Sequence, residues 1–151
     1  MARFNLNKAL LRKQVESNVR IALVISGTNL TRTIKASMIP GGGGKVTYKG
    51  RMHVRSSPNQ PPSPMSGRLR DSVHYITSFG VKSPLGPMAK KTDRLSQPKE
   101  TGAMVVSVGT NAEYALAIEK GYRPLNLKKR PYLWPALKGS REMIKDAFTR
   151  E

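Results

Sequence analysis

The sequence predicts an α+β fold: a long N-terminal helix and a C-terminal helix packed on a small antiparallel sheet, with two long extended loops. Apolar residues recur at helical spacing without a proline before residue 40, β-branched residues alternate near 73–77 and 105–108, and Pro/Gly-rich stretches fill 40–64 and 82–102. A chain of 151 residues suits one domain with one core, so 1–151 is read as a single unit.

The first element spans about Asn5 to Met38. Leu11, Val15, Val19, Ala22, Leu30, Ile34 and Met38 form its stripe, with Ser26 filling a gap. Such a helix would be roughly 50 Å long, more than one small core needs, so it is read first as a core-packing helix with frayed ends and, as the alternative, as one that also serves a contact with another subunit. Gly27 beside Thr28 is expected to mark a bend or a break. Next, the glycine run and proline cluster of 40–64 exclude a stable helix. Val46, Tyr48, Met52 and Val54 alternate with polar residues there, which predicts a weak hairpin turning at Lys49-Gly50, with Lys45, Lys49, Arg51 and Arg55 outward. Gly44-Lys45 is followed by Val46, and a helix precedes it, so the phosphate-loop pattern is not met.

Ser66 and Gly67 open a short turn through Leu69. Val73, Tyr75 and Thr77 then alternate against Ser72, His74 and Ile76 as a strand. Residues 82–102 are expected to be a long, mobile connection to a strand ending at Val108. Asn111 is the expected cap of a short helix carrying Glu113, Tyr114, Ala115 and Glu119, which Gly121 ends. A basic loop with Lys128, Lys129 and Arg130 follows. Pro131 and Pro135 bracket Tyr132, Leu133 and Trp134 as a stiff packing knot, and one last helix runs from Pro135 to the end on Leu137, Ile144, Ala147 and Phe148.

Charge and inventory narrow the function. Lys and Arg total 27 against 9 Asp and Glu, for a net charge of +18, which calls for an acidic or polyanionic neighbour. The excess is spread along the chain, with seven basic residues against one acidic in 1–39, eleven against three in 40–101 and nine against five in 102–151. Lys45, Lys49, Arg51, Arg55, Lys90, Lys91, Arg94, Lys128 and Lys129 are the candidate contacts to DNA or to an acidic partner. Aromatic residues make up only 6%, and no helix-turn-helix or zinc-finger pattern is present, so sequence-specific reading of nucleic acid is not expected. Cysteine is absent, which removes disulfides, thiolate metal sites and a cysteine nucleophile. His53 and His74 have no ligand-spaced partners, Glu113 and Glu119 fall on nearly opposite sides of a helix, and no serine sits in a G-x-S-x-G elbow. The expectation is a protein without catalytic activity, cofactor or metal. No leader pattern and no apolar run of about 18 residues is visible, so a cytoplasmic chain without membrane contact is expected.

Two stretches resemble a known family. Ser57-Pro58-Asn59-Gln60-Pro61-Pro62-Ser63-Pro64-Met65-Ser66-Gly67-Arg68-Leu69-Arg70-Asp71-Ser72 is similar to the S-x-G-x-P-P-x-x-x-T/S-G-x-L-R-x-S block of tail-component proteins from long-tailed bacteriophages. Val108-Gly109-Thr110-Asn111-Ala112-Glu113-Tyr114-Ala115, then Glu119-Lys120-Gly121, then Arg130-Pro131-Tyr132-Leu133-Trp134-Pro135-Ala136-Leu137 resembles that family's V-G-T-x-x-x-Y-A, E-x-G and R-P-F-L-x-P-A-L block. Asn59 stands where a glycine is usual, Tyr122 where a threonine is common and Tyr132 in place of phenylalanine. The resemblance implies a tail-completion or head-tail joining protein: a virion structural subunit, assembled in the host cytoplasm, forming a homo-oligomeric ring at the neck between portal and tail tube. It implies neighbouring neck, portal-adaptor or tail-tube proteins as partners, and non-specific contact with packaged DNA. It marks Pro62, Gly67, Leu69, Tyr114, Ala115, Glu119, Gly121, Arg130, Pro131, Trp134 and Pro135 as the structural and assembly motif. Glu119 is expected to pair with Arg130 or Arg68. A tail-terminator ring is the near alternative, and a basic nucleic-acid-binding module is the alternative of another class.

Overall fold

A computed structural model describes residues 7–39, 41, 43–99 and 103–149. The loop ends at Pro40 and Gly102 and the expected helix start at Asn5 lie outside the described residues. The architecture is α+β. Helix α1 (Lys8–Ser37) is followed by the hairpin β1 (Lys45–Tyr48) and β2 (Arg51–Val54). Helix α2 (Arg68–Ser72), strand β3 (His74–Thr77), strand β4 (Val106–Gly109), helix α3 (Ala115–Lys120), helix α4 (Leu133–Gly139) and helix α5 (Arg141–Thr149) complete the order, with short 3₁₀ turns at Lys91–Asp93 and Arg123–Leu125. The strands form two separate antiparallel pairs: β1 with β2, from Lys45↔Val54 to Tyr48↔Arg51, and β3 with β4, from His74↔Gly109 to Thr77↔Val106.

Asn7 caps α1, its side-chain oxygen accepting from Leu10 N at 3.1 Å. Residues 8–15 of α1 are exposed, and burial begins in earnest at Ala22 and Leu23. The C-terminal half is the axis of the molecule and packs against β3, β4, α4 and α5. Leu30, Ile34 and Met38 join Val73, Tyr132 and Ala136 in the core, with Leu69, Val108, Ile118 and Leu133 around them. Each such side chain contributes roughly 1.5–3 kcal/mol when fully buried.

Gly27 does not break α1, which runs unbroken from Lys8 to Ser37. It is buried mid-helix, and a Cβ there would lie 2.9 Å from both Tyr75 Cγ and Val106 Cγ2. The glycine lets the β3–β4 sheet approach the helix backbone, so its cost in helix propensity is offset by packing. The single expected C-terminal helix is two helices. Gly139 and Ser140 are weak helix residues, and the Ser140 N–H closes α4 by donating to Ala136 O at 3.0 Å and Leu137 O at 3.2 Å. Strand β3 is buried on both faces, and the segment after it folds back along its edge, with a bridge between Ile76 and Lys82. Ser83 Oγ accepts from Tyr75 N at 3.0 Å, and Ser83 N donates to Tyr75 O at 3.1 Å.

The β1–β2 hairpin turns at Lys49-Gly50 as expected, both residues having positive φ (48° and 73°), the signature of a type I′ turn. Its register opposes Val46 to His53 and Met52 to Thr47, so neither face is apolar. The extensive contacts of β1 and β2 are with each other.

Candidate functional site

The residues from Ala115 to Ala136 form a closed backbone device. Helix α4 begins at Leu133 without a cap from its own Tyr132. Glu119, on α3, supplies one: Oε2 accepts from Tyr132 N at 2.8 Å and Leu133 N at 3.2 Å, and Oε1 accepts from Trp134 N at 3.2 Å. The fourth N-terminal position is Pro135, which has no N–H to satisfy. One carboxylate and one proline thus account for every orphan donor of the helix, with the negative charge at the positive end of its dipole. This corrects the expected ion pair. Arg130 instead donates from Nε to Ser56 O at 3.3 Å and from Nη1 to Lys128 O at 3.2 Å, while its N–H reaches Ile118 O at 2.7 Å.

Gly121 closes α3 with φ 80°, and a Cβ there would sit 2.9 Å from Leu127 O and 3.0 Å from Lys129 N. The basic loop therefore folds tightly against the helix end, held by Tyr122 N to Leu127 O at 2.9 Å and Leu127 N to Tyr122 O at 3.0 Å. Within the proline-bracketed knot the two aromatics part company. Tyr132 is buried, and its hydroxyl finds no hydrogen-bond partner among the described residues; burial, with Glu119 nearby, raises its pKa. Trp134 points out, 68% exposed, and is not the internal packing element expected.

Arg68 joins the two motif blocks. Its Nε donates to Asp93 Oδ2 at 3.0 Å and its Nη2 to Asp93 Oδ1 at 2.6 Å, a two-pronged pair with a carboxylate only 1% exposed. The same Nη2 lies 3.5 Å from Glu113 Oε1, and the guanidinium stacks over the Tyr114 ring at 5.3 Å. Hydrogen bonding from Arg68 holds the Asp93 carboxyl below the usual carboxylate range. Thr110 Oγ1 donates to Ser72 Oγ at 2.8 Å, and Asn59 N donates to Lys129 O at 3.0 Å. Asn59 has φ 64°, so it takes the left-handed turn that a glycine would. Asn111 is not the cap of α3; its N–H goes to Asp93 O at 2.9 Å, and the chain turns through Glu113 and Tyr114 before the helix begins.

Pro62, Gly67, Leu69 and Tyr114 line a cleft of about 340 Å³ with Met38, Arg68 and Ile118, its walls mainly apolar. Ala115 is buried beside it. The basic candidates divide. Arg55 and Lys128 meet Arg130 around a second cleft of about 390 Å³ whose lining includes no carboxylate. Lys45, Lys49 and Arg51 sit on the exposed hairpin and Lys129 on the exposed basic loop, none of them in that lining. Lys90, Lys91 and Arg94 surround the buried Asp93 in the other loop. Among the described residues no group of three His, Asp or Glu side chains is placed to hold a metal, and no helix is long and apolar enough to cross a membrane.

The chain matches no family model, no curated protein and no solved structure. Its chemistry is therefore read from geometry. The sequence offered no signal for Asp93 or Asp71, acidic residues inside basic stretches that accept backbone N–H groups. His74, whose sequence neighbours include no ligand-spaced partner, is fully buried, with Nδ1 at 2.9 Å from Ser72 O and Nε2 accepting from Leu95 N at 3.0 Å. Those partners fix the neutral tautomer with the proton on Nδ1. Burial lowers its pKa, the Ser72 carbonyl opposing and Arg94 and Lys35 assisting.

Proposed function

We propose that this protein is a structural subunit of a tailed-bacteriophage virion, a tail-completion or head-tail joining protein that forms a ring at the neck. The observation that carries the reading is the joining of the two resembling blocks. Ser72 meets Thr110, Arg68 meets Tyr114, and Glu119 holds Tyr132, Leu133 and Trp134, so the motif residues hold one another in shape, as an assembly subunit requires. The half of α1 that extends beyond the core and the self-paired hairpin suit contacts to neighbouring subunits, which a closed ring of heterologous interfaces requires. Deleting the gene from the phage genome and imaging the lysate tests this. Filled capsids and finished tails that fail to join are expected; joined particles at normal yield defeat the proposal, and tails of uncontrolled length favour the tail-terminator alternative.

A nucleic-acid-binding module is supported by one specific feature, the carboxylate-free cleft of Arg55, Lys128 and Arg130. That reading requires tight duplex binding by the isolated chain, with log K falling linearly against log salt at a slope set by the phosphates neutralised. The neck reading requires weak binding at physiological salt.

A further inference from the structure

Three adjoining clefts share Leu137 and run along the seam between α1, α4 and α5. The outermost, about 480 Å³, is lined by Trp134, Leu137, Lys138, Arg141, Ile144 and Lys145. Its floor is apolar and open, with Trp134 68% and Leu137 41% exposed, and its rim carries three cations and no carboxylate. Lys145 is paired with Glu142 at 2.9 Å, whereas Lys138 and Arg141 form no ion pair with a described residue. The Glu119 cap fixes the backbone of Trp134, so the indole is presented on a preorganised helix start. An exposed tryptophan beside an arginine is the composition of an interface anchor.

We propose that this cleft docks an acidic amphipathic segment of a partner protein. An apolar side chain would seat among Trp134, Leu137 and Ile144 while carboxylates meet Lys138, Arg141 and Lys145. Charge complementarity selects this occupant. A second copy offers an exposed apolar stretch at Leu10, Leu11 and Val15, but Lys8, Arg12 and Lys13 surround it against Glu16 alone, and the whole chain carries +18. A nucleic-acid backbone offers negative charge but no apolar group for the floor. The proposal stands independently of the neck reading.

Trp134 is the only tryptophan, so its emission reports on the cleft directly. The full chain is titrated with a synthetic peptide of about 16 residues bearing Leu at i, i+3, i+4 and i+7 and Glu at most other positions. The same peptide with Lys for Glu and a short DNA duplex are the comparisons. A saturable blue shift with the Glu peptide is expected, weakened roughly tenfold or more by Leu137→Glu and by Lys138→Glu with Arg141→Glu. Leu137 lies on the surface, and circular dichroism verifies that each variant is folded. No saturable shift, an equal response to the Lys peptide, a stronger response to duplex, or a blue shift produced by raising protein concentration alone overturns the proposal.

Discussion

Two stretches of this chain look alike as sequence and behave differently as structure. Both 40–64 and 82–102 are rich in proline and glycine and carry excess lysine and arginine. In the second, Asp93 is buried against Arg68 and accepts from Lys90 N at 2.9 Å, Leu95 N donates to His74, Met88 N donates to Asp71 Oδ2 at 3.0 Å, and Gln97 Nε2 donates to Ser78 O at 2.7 Å. The described part of this connection, 82–99, is held to β3 and its neighbours by these bonds. In the first, the β1–β2 ladder is satisfied internally, and Met52 stands 69% exposed. Composition decides that both are irregular or extended. What orders one of them is a set of side-chain acceptors on neighbouring elements, waiting for its backbone donors.

The contrast is sharpest where an anchor is removed. Asp93→Ala is expected to have the largest effect, about 3 kcal/mol, because it leaves Arg68 and the Lys90 N–H without their acceptor. Thermal unfolding should show a fall of roughly 6–12 °C, and amide exchange should accelerate through 86–97 while the 45–54 hairpin is unchanged. A uniform acceleration would mean the anchors act globally and the contrast between the loops is false. Since the Asp93 carboxyl is held below its unfolded range, its contribution is complete above about pH 4 and is lost as pH falls through the folded pKa.

Glu119→Ala comes next, at roughly 2–3 kcal/mol, because three helix-start N–H groups lose their acceptor together. Glu119→Gln retains one acceptor oxygen and should cost about half as much. Equal stability for both variants and the parent in denaturant titration would discard the capping account. His74 sharpens the comparison from the other side of the pH scale. Folded His74 holds its proton less tightly than the unfolded chain, so stability is complete above about pH 6.5 and declines below it as the unfolded state gains a proton first. His74→Gln should flatten that decline, and an unchanged pH profile would exclude His74 as its source. Tyr132→Phe tests the buried hydroxyl without a partner and is expected to be neutral or to stabilise by up to about 1 kcal/mol.

How far the sequence carried depends on which physical term was local. The long α1 stripe, the Lys49-Gly50 turn and the strand at Val106 follow from periodicity and turn chemistry within a few residues. The role of Gly27 is not legible in sequence, because propensity is a property of the helix alone, whereas Tyr75 and Val106 determine what that position must leave empty. The Gly139-Ser140 break was visible locally and was overridden by the apolar pattern on either side. Of the motif residues, Glu119 is legible as a structural carboxylate but its partners are not, because charge can be read in sequence and an unsatisfied N–H cannot. Asp71, Asp93 and Glu119 are three of the nine acidic residues, and in a chain of this charge they were counted only as minor deductions from +18. All three accept backbone N–H groups from segments 13 to 17 residues away or three residues back, separations that no periodic pattern marks.

The smallest expected change in stability is also the most discriminating test of the contrast. Gly44 O accepts from Arg55 N at 3.1 Å and Arg55 O from Gly43 N at 2.7 Å, so the base of the hairpin is already closed. Lys45–Val54 can therefore be replaced by two glycines without reopening the chain. Ser56, just below, stays buried and remains tied to Arg130. Because the extensive contacts of β1 and β2 are with each other, and Lys45, Thr47, Arg51, Met52 and Val54 are exposed, the excision should shift stability by no more than about 0.5 kcal/mol, the range of ordinary surface changes. It removes Lys45, Lys49 and Arg51, so any loss of assembly or of polyanion binding in a variant of unchanged melting temperature belongs to the arm itself. An excision as costly as Asp93→Ala would show that the hairpin is part of the folding unit, and the distinction between a pinned loop and a projecting one would fall.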